Sequence, residues 1–178
     1  MQELPELHKV RLDKPDHLAA LKDLSLDYFR WLESEFSREL ALSLSQQIGM
    51  SLPEYVDQTL QQFLPKAASD GVFYLVKQAD YVAMAGLRRL SANAAEVKRL
   101  FVKPEARAQG LAGLLLQKLK QEAGDLNYAT LFLDSAPFMR AAHQLYYKHG
   151  FYHCAAYAGT EVPAQLQANW HFMRCDLL

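Results

Sequence analysis

One stretch limits what this chain can fold into more than any other: EVKRLFVKPEARAQGLAGLLL, residues 96–116. It opens as a strand, since Val97, Leu100, Phe101 and Val102 are the apolar, aromatic and β-branched residues that suit a pleated surface. Pro104 cannot continue a central ladder, so the strand ends near Lys103. A small polar turn, Arg107-Ala108-Gln109-Gly110, leads into an apolar run with helical spacing through Leu111, Leu114, Leu115 and Leu119. A helix entered this way leaves its first N–H groups without partners, and its dipole favours an anion in front of them. Gly110 has no Cβ and lets a ligand approach the backbone closely. Lys98, Arg99, Lys103 and Arg107 cluster around the turn in the sequence. The physical reading is a cradle for a phosphate or pyrophosphate.

The cradle is neither a Walker A loop nor a G-x-G-x-x-G turn. What stands there is Arg107-x-x-Gly110-x-Ala112 after Phe101-Val102-Lys103-Pro104. Further on comes Ala142-x-x-Leu145-Tyr146-x-x-x-Gly150-Phe151, on the helix and strand after the next β-strand. The two motifs, in this order, resemble motifs A and B of the GCN5-related N-acetyltransferase (GNAT) superfamily, [RQ]-x-x-G-x-[GA] and A-x-x-L-Y-x-x-x-G-F. The resemblance covers roughly residues 72 to 157, and the N-terminal helices fit the superfamily's variable acceptor-binding region loosely. It implies acetyl-CoA as acyl donor, bound by Leu100, Phe101 and Val102 and by the turn and helix residues Arg107, Ala108, Gln109, Gly110, Leu111, Ala112 and Gly113. It also implies direct attack by a neutral amine on the thioester, with Tyr146 as the acid for the departing thiolate. Glu96 matches the base position of some members; its alternative is a surface carboxylate or an ion-pair partner of Lys98. Two positions depart from the pattern. Met139 replaces a frequent asparagine, and Ala108 replaces a frequent glycine, which is tolerable if Ala108 keeps a negative φ.

The rest of the chain reads as follows. His8–Leu12 alternates as a short strand. Pro15 opens a helix through Leu18, Leu21, Leu24, Tyr28, Phe29, Trp31 and Leu32, which residues 37–48 either continue or leave as a mobile segment, with Gly49 as the end. Tyr28, Phe29 and Trp31 pack the core or, on a sharper reading, line a substrate pocket. Ser51-Leu52-Pro53-Glu54 is a capping box opening a second helix, closed by Pro65 and Ser69-Asp70-Gly71. Val72–Val76, Tyr81–Leu90 and Ala95–Val102 form an antiparallel meander, with a bulge or close approach at Gly86. The cradle helix stops at Gly124. Tyr128–Leu133 then pairs in parallel with the central strand through a right-handed crossover. A helix over 138–149 stops at Gly150, and strands at 151–157 and 170–176 form a final hairpin. The fold class is α/β (α+β): one GNAT-like domain over residues 1–178, with a mixed, mostly antiparallel sheet of about six or seven strands flanked by helices and a splayed parallel pair at the cofactor site.

Composition narrows the function. The formal net charge of −1 argues against a broad nucleic-acid footprint. Two cysteines, Cys154 and Cys175, make no disulfide framework and no CxxC metal site. His143, His149 and His153 fit no established ligand motif, so no metal is expected and they read as surface histidines. The first sixteen residues lack an apolar targeting core, and no apolar run is long enough to span a bilayer. The expectation is a cytoplasmic enzyme acting on a small-molecule or peptide amine, with no nucleic acid or membrane partner; the resemblance allows a homodimer, a state common in the superfamily. Two alternatives stay open: an acyl-CoA-binding module without working acid and base, and a domain binding another nucleotide at Gly110.

Overall fold

The computed structural model describes residues 4–64 and 70–177. A seven-stranded sheet runs in the order β1-β2-β3-β4-β5-β7-β6. Its strands are β1 (Glu6–Lys9), β2 (Gly71–Lys77), β3 (Tyr81–Arg89), β4 (Ala94–Val102), β5 (Thr130–Ser135), β6 (Tyr152–His153) and β7 (His171–Asp176). All neighbours are antiparallel except β4 and β5. The helices are α1 (Pro15–Leu40), α2 (Leu44–Ile48), α3 (Leu52–Phe63), α4 (Leu111–Asp125), α5 (Arg140–Lys148) and α6 (Ala164–Gln167).

Strand alternation divides the core between the two faces of the sheet. Val72, Tyr74, Val76, Ala83, Ala85 and Leu87 pack with Leu111, Leu115, Leu116 and Leu119 of α4. Phe73, Leu75, Met84 and Phe101 face the other way, onto Leu21, Leu24, Phe29 and Leu32 of α1 and Val56, Leu60 and Phe63 of α3. The capping box at Ser51 is formed: its hydroxyl accepts from the Glu54 N–H, and the Glu54 carboxylate accepts from the Ser51 N–H. The ring of Phe73 lies where a Cβ on Gly86 would fall, 2.4 Å from Cε1, so the predicted close approach is real.

Several boundaries differ from the sequence reading. The first strand ends at Lys9, not Leu12. Residues 37–40 continue α1, and Ala41, at φ 53, closes it before a separate α2 capped by Gly49. Gly124 lies inside α4; the helix stops at Leu126, and Asn127 takes the left-handed conformation (φ 60) expected of the glycine. The strand at 151–157 shrinks to Tyr152–His153, and β7 lies between it and β5. Pro65 and Ser69, expected to end α3, lie outside the described residues. Among those residues no helix is long and apolar enough to cross a membrane.

Candidate active site

The parallel ladder between β4 and β5 holds for only three residue pairs, Ala94 with Thr130, Ala95 with Leu131 and Glu96 with Phe132. Beyond them the strands part, and the edge of β4 from Val97 to Val102 faces a gap rather than a neighbour. The gap opens into a cavity of about 440 Å³ between β4, β5, the Arg107–Gly113 turn, the start of α5 and Tyr28 and Trp31 of α1. Gly110 caps α4 at φ 78, and a Cβ placed there would meet nothing within 4 Å. The N–H groups of Leu111, Ala112 and Gly113, with no intrahelical acceptors, therefore stand at an open face. These features fit an anionic group entering at the turn.

Of the ten residues expected at the cofactor, nine line this cavity: Leu100, Phe101, Val102, Arg107, Ala108, Gly110, Leu111, Ala112 and Gly113. Gln109 does not; its side-chain oxygen accepts from Gln78 Nε2 at 2.9 Å on the outside of the turn. Ala108 does not keep a negative φ; it sits at +61°, so the glycine frequent there has a conformational reason. The four basic residues near the turn in sequence disperse in space. Only Arg107 stays at its mouth, with Nε donating to the Val102 carbonyl at 3.1 Å and the guanidinium over the Trp31 ring. Lys98 turns to Glu96 and Glu161, Arg99 borders the cavity away from the turn with its guanidinium on Ser25 and Thr59, and Lys103 reaches toward Asp27 at 3.9 Å. Arg140, at the start of α5, adds a cation to the lining that the sequence reading did not single out.

Tyr146 also lines the cavity and is 7% exposed. Burial, with the nearby Asp134 carboxylate adding to it, raises the pKa of the phenol and keeps it protonated. Tyr147 points away and shares a 2.5 Å hydrogen bond with His153 Nε2. Met139 caps α5 without a side-chain bond; its sulfur receives the Ser135 hydroxyl at 3.3 Å, so no polar side chain replaces the missing asparagine.

Glu96 is not in the cavity. It is fully buried, and both its oxygens are occupied: Oε2 by Arg88 Nε at 2.9 Å and Nη2 at 2.5 Å, Oε1 by the Tyr157 hydroxyl at 2.7 Å and Lys98 at 3.4 Å. Glu96 is therefore no surface carboxylate; it is the ion-pair partner of Lys98, with the pairing extended to Arg88. The carboxylate that does face the gap is Asp134 on β5, whose Oδ1 accepts the Trp170 indole N–H at 2.9 Å. Its trace in sequence was a single acidic residue inside the apolar run LFLDS.

Asp134 and Arg99 also line a second cavity of about 130 Å³ on the α1, α2 and α3 side. Tyr28 borders both cavities and Phe29 the second, so part of the aromatic cluster on α1 does line pockets. Nor are the histidines all at the surface. His143 is buried, stacked on His171 with centroids 4.1 Å apart, and its Nε2 lies 3.1 Å from the Ser135 hydroxyl. Burial, reinforced by His171, pushes its pKa down to about 4.

A mixed sheet split at its parallel pair, with an open helix end behind the turn on one side and a buried, protonated tyrosine across the gap, makes up the candidate site. The acetyltransferase (GNAT) family model matches residues 19–151, and the chain belongs to that family. It is 32% identical over 82 residues, 46% of the chain, to an uncharacterized N-acetyltransferase of Schizosaccharomyces pombe, spanning about half (47%) of that relative's length. The PaiA N-acetyltransferase of Thermoplasma acidophilum, solved with coenzyme A, superposes with a TM-score of 0.67 at 16% identity, covering 97% of this chain and 99% of that one. The ribosomal-protein-S18-alanine N-acetyltransferase of Escherichia coli superposes with a TM-score of 0.66 at 17% identity, covering 98% and 94%.

Proposed function

We propose that the protein is an acetyl-CoA-dependent N-acetyltransferase in which an amine attacks the thioester directly within a ternary complex. The observation that carries this reading is the meeting of two cavities at the split between β4 and β5, with Asp134 and Tyr28 on the border of both. Acetyl-CoA occupies the larger cavity, its pyrophosphate against the start of α4 with Arg107 and Arg140 nearby, and its pantetheine along the free edge of β4. The free N–H groups of that edge polarise the thioester carbonyl as an oxyanion hole does. The acceptor amine, of a small molecule or a peptide, enters through the smaller cavity.

Asp134 takes the proton from the entering ammonium, directly or through a water, and the neutral nitrogen attacks the carbonyl carbon. When the C–S bond breaks, the Tyr146 hydroxyl gives its proton to the departing sulfur, and the second amine proton leaves with solvent. Glu96 holds Arg88, Lys98 and Tyr157 together behind the site and takes no part in the proton transfer.

Release of free thiol from acetyl-CoA with a panel of amines tests this reading. Asp134→Asn is expected to lower kcat/KM by about 10²–10⁴-fold near neutral pH, with partial recovery at high pH where the amine is already neutral. Full activity in Asp134→Asn removes it as the base. Binding of acetyl-CoA with no thiol release from any amine points instead to an acyl-CoA-binding module on the same fold.

A further inference from the structure

Arg99 is where β4 breaks its own alternation. Against β3, Lys98 pairs with Gly86 and Phe101 with Met84, so Arg99 and Leu100 together stand opposite Ala85. The bulge is paired with a left-handed φ of 54° at Arg99, uncommon for a residue other than glycine. Regular alternation would aim Arg99 at α4, alongside Val97. The bulge turns it to the α1 and α3 side, the side that Lys98 already faces.

The guanidinium that arrives there is 7% exposed and has no carboxylate within ion-pair distance among the described residues. Nη1 donates to Ser25 Oγ at 3.0 Å and Nη2 to Thr59 Oγ1, and the rings of Phe29 and Phe63 lie 5.3 and 5.5 Å from its centre. Its neighbours are differently placed. Arg88 and Lys98 share Glu96 and Glu161, two cations on two carboxylates. Arg99 is left over. So is Asp134, which accepts the Trp170 indole and has no cation within ion-pair distance among the described residues. Burial lowers the pKa of Arg99 to about 10, which leaves it charged at neutral pH. A buried cation without a counter-ion is costly, and hydroxyls and ring faces offset that cost only in part.

Arg99 and Asp134 border both cavities. The junction therefore presents one unmatched cation and one unmatched anion. We infer that Arg99 is the carboxylate-binding residue of the acceptor subsite, and that the acceptor is a small amine bearing a carboxylate, of the amino-acid type. Its carboxylate accepts from the guanidinium N–H groups that the hydroxyls leave free, and its ammonium turns toward Asp134. An arginine fork suits a carboxylate better than a lysine ammonium does. The smaller cavity, at about 130 Å³, lies below the ~300–1,000 Å³ usual for drug-sized ligands. A polyamine would leave Arg99 unmatched. The identity of the reacting group rests on the acetyltransferase reading; the carboxylate subsite does not.

The test uses the unaltered protein first, because Arg99 also ties α1 to α3 and its variants can lose stability. Thiol release is measured with matched sets of amines: amino acids, their carboxamides and the corresponding decarboxylated amines. The acids are expected to show kcat/KM about ten- to a hundredfold higher, mainly through KM. Arg99→Lys keeps part of that preference and a folded Arg99→Met erases it. Equal kcat/KM across each set overturns the proposal. If no amine releases thiol, the acetyltransferase reading fails, and melting temperature with coenzyme A present decides the subsite. Amino acids that stabilise the unaltered protein but not Arg99→Met support it, and no stabilisation by any amino acid overturns it.

Discussion

Replacing Glu96 by glutamine separates a structural carboxylate from a catalytic one. The side chain has no solvent contact and accepts from Arg88, Lys98 and Tyr157. With Glu161 the cluster holds two cations and two carboxylates. Glutamine leaves one buried positive charge unmatched, and its amide N–H₂ must face either Arg88 or the Lys98 and Tyr157 donors. Removing one partner of a buried pair costs about 3–5 kcal/mol. Arg88 keeps 21% of its side chain exposed and Glu161 31%, so water relieves part of the imbalance and the lower end, about 3 kcal/mol, is the expected loss. For a chain of this length each kcal/mol moves the melting temperature by ~2–4 °C, so a fall of about 6–12 °C follows. Thermal unfolding at neutral pH reads the shift, and thiol release is assayed well below the lowered transition. The variant should be less stable yet retain turnover to within a few-fold when folded. An unchanged melting temperature together with lost turnover that high pH rescues would refute the argument and return Glu96 to the role of base.

Two further outcomes test the donor side. Gly110→Val has room for its Cβ but must hold a left-handed backbone, at about 1–2 kcal/mol, and it projects a branched side chain into the cradle. Calorimetry is expected to show a folded protein with acetyl-CoA affinity below detection; unchanged affinity means the pyrophosphate lies elsewhere. Tyr146→Phe is expected to lower kcat by about 10²-fold with acetyl-CoA affinity retained, because a thiolate leaves tolerably well unprotonated. Tyr147→Phe, 43% exposed and hydrogen-bonded to His153, is the near-silent control, and a reversed pattern would move the acid to Tyr147.

The architecture was legible where one local pattern admits one local structure. Apolar, β-branched and aromatic runs between turns marked β2 to β5, the Ser51–Glu54 box marked the start of α3, and the Arg107–Gly110 turn between a strand and a leucine-rich helix marked the open helix end facing the cavity. Helix ends were read less well where two residues compete for the same role. Gly124 has nothing near a would-be Cβ and remains in α4, while Asn127 three residues later takes the left-handed turn.

The site's charges are where local pattern falls silent. Lys98, Arg99, Lys103 and Arg107 form a basic cluster along the chain, yet one faces the cavity mouth, one is tied to Glu96 and Glu161, one reaches toward Asp27 and one is buried between α1 and α3. A single bulge opposite Ala85 makes part of that difference by turning Arg99 to the other face of the sheet. Glu96 and Asp134 are both acidic residues in apolar strands. Arg88, its cross-strand partner on β3, and Tyr157, far along the chain, claim the first, and the parting of β4 from β5 leaves the second open. Periodicity along the chain reports which face a residue prefers. Which opposite charge meets it there depends on contacts between segments far apart in sequence, and those exist only once the sheet and its helices have packed.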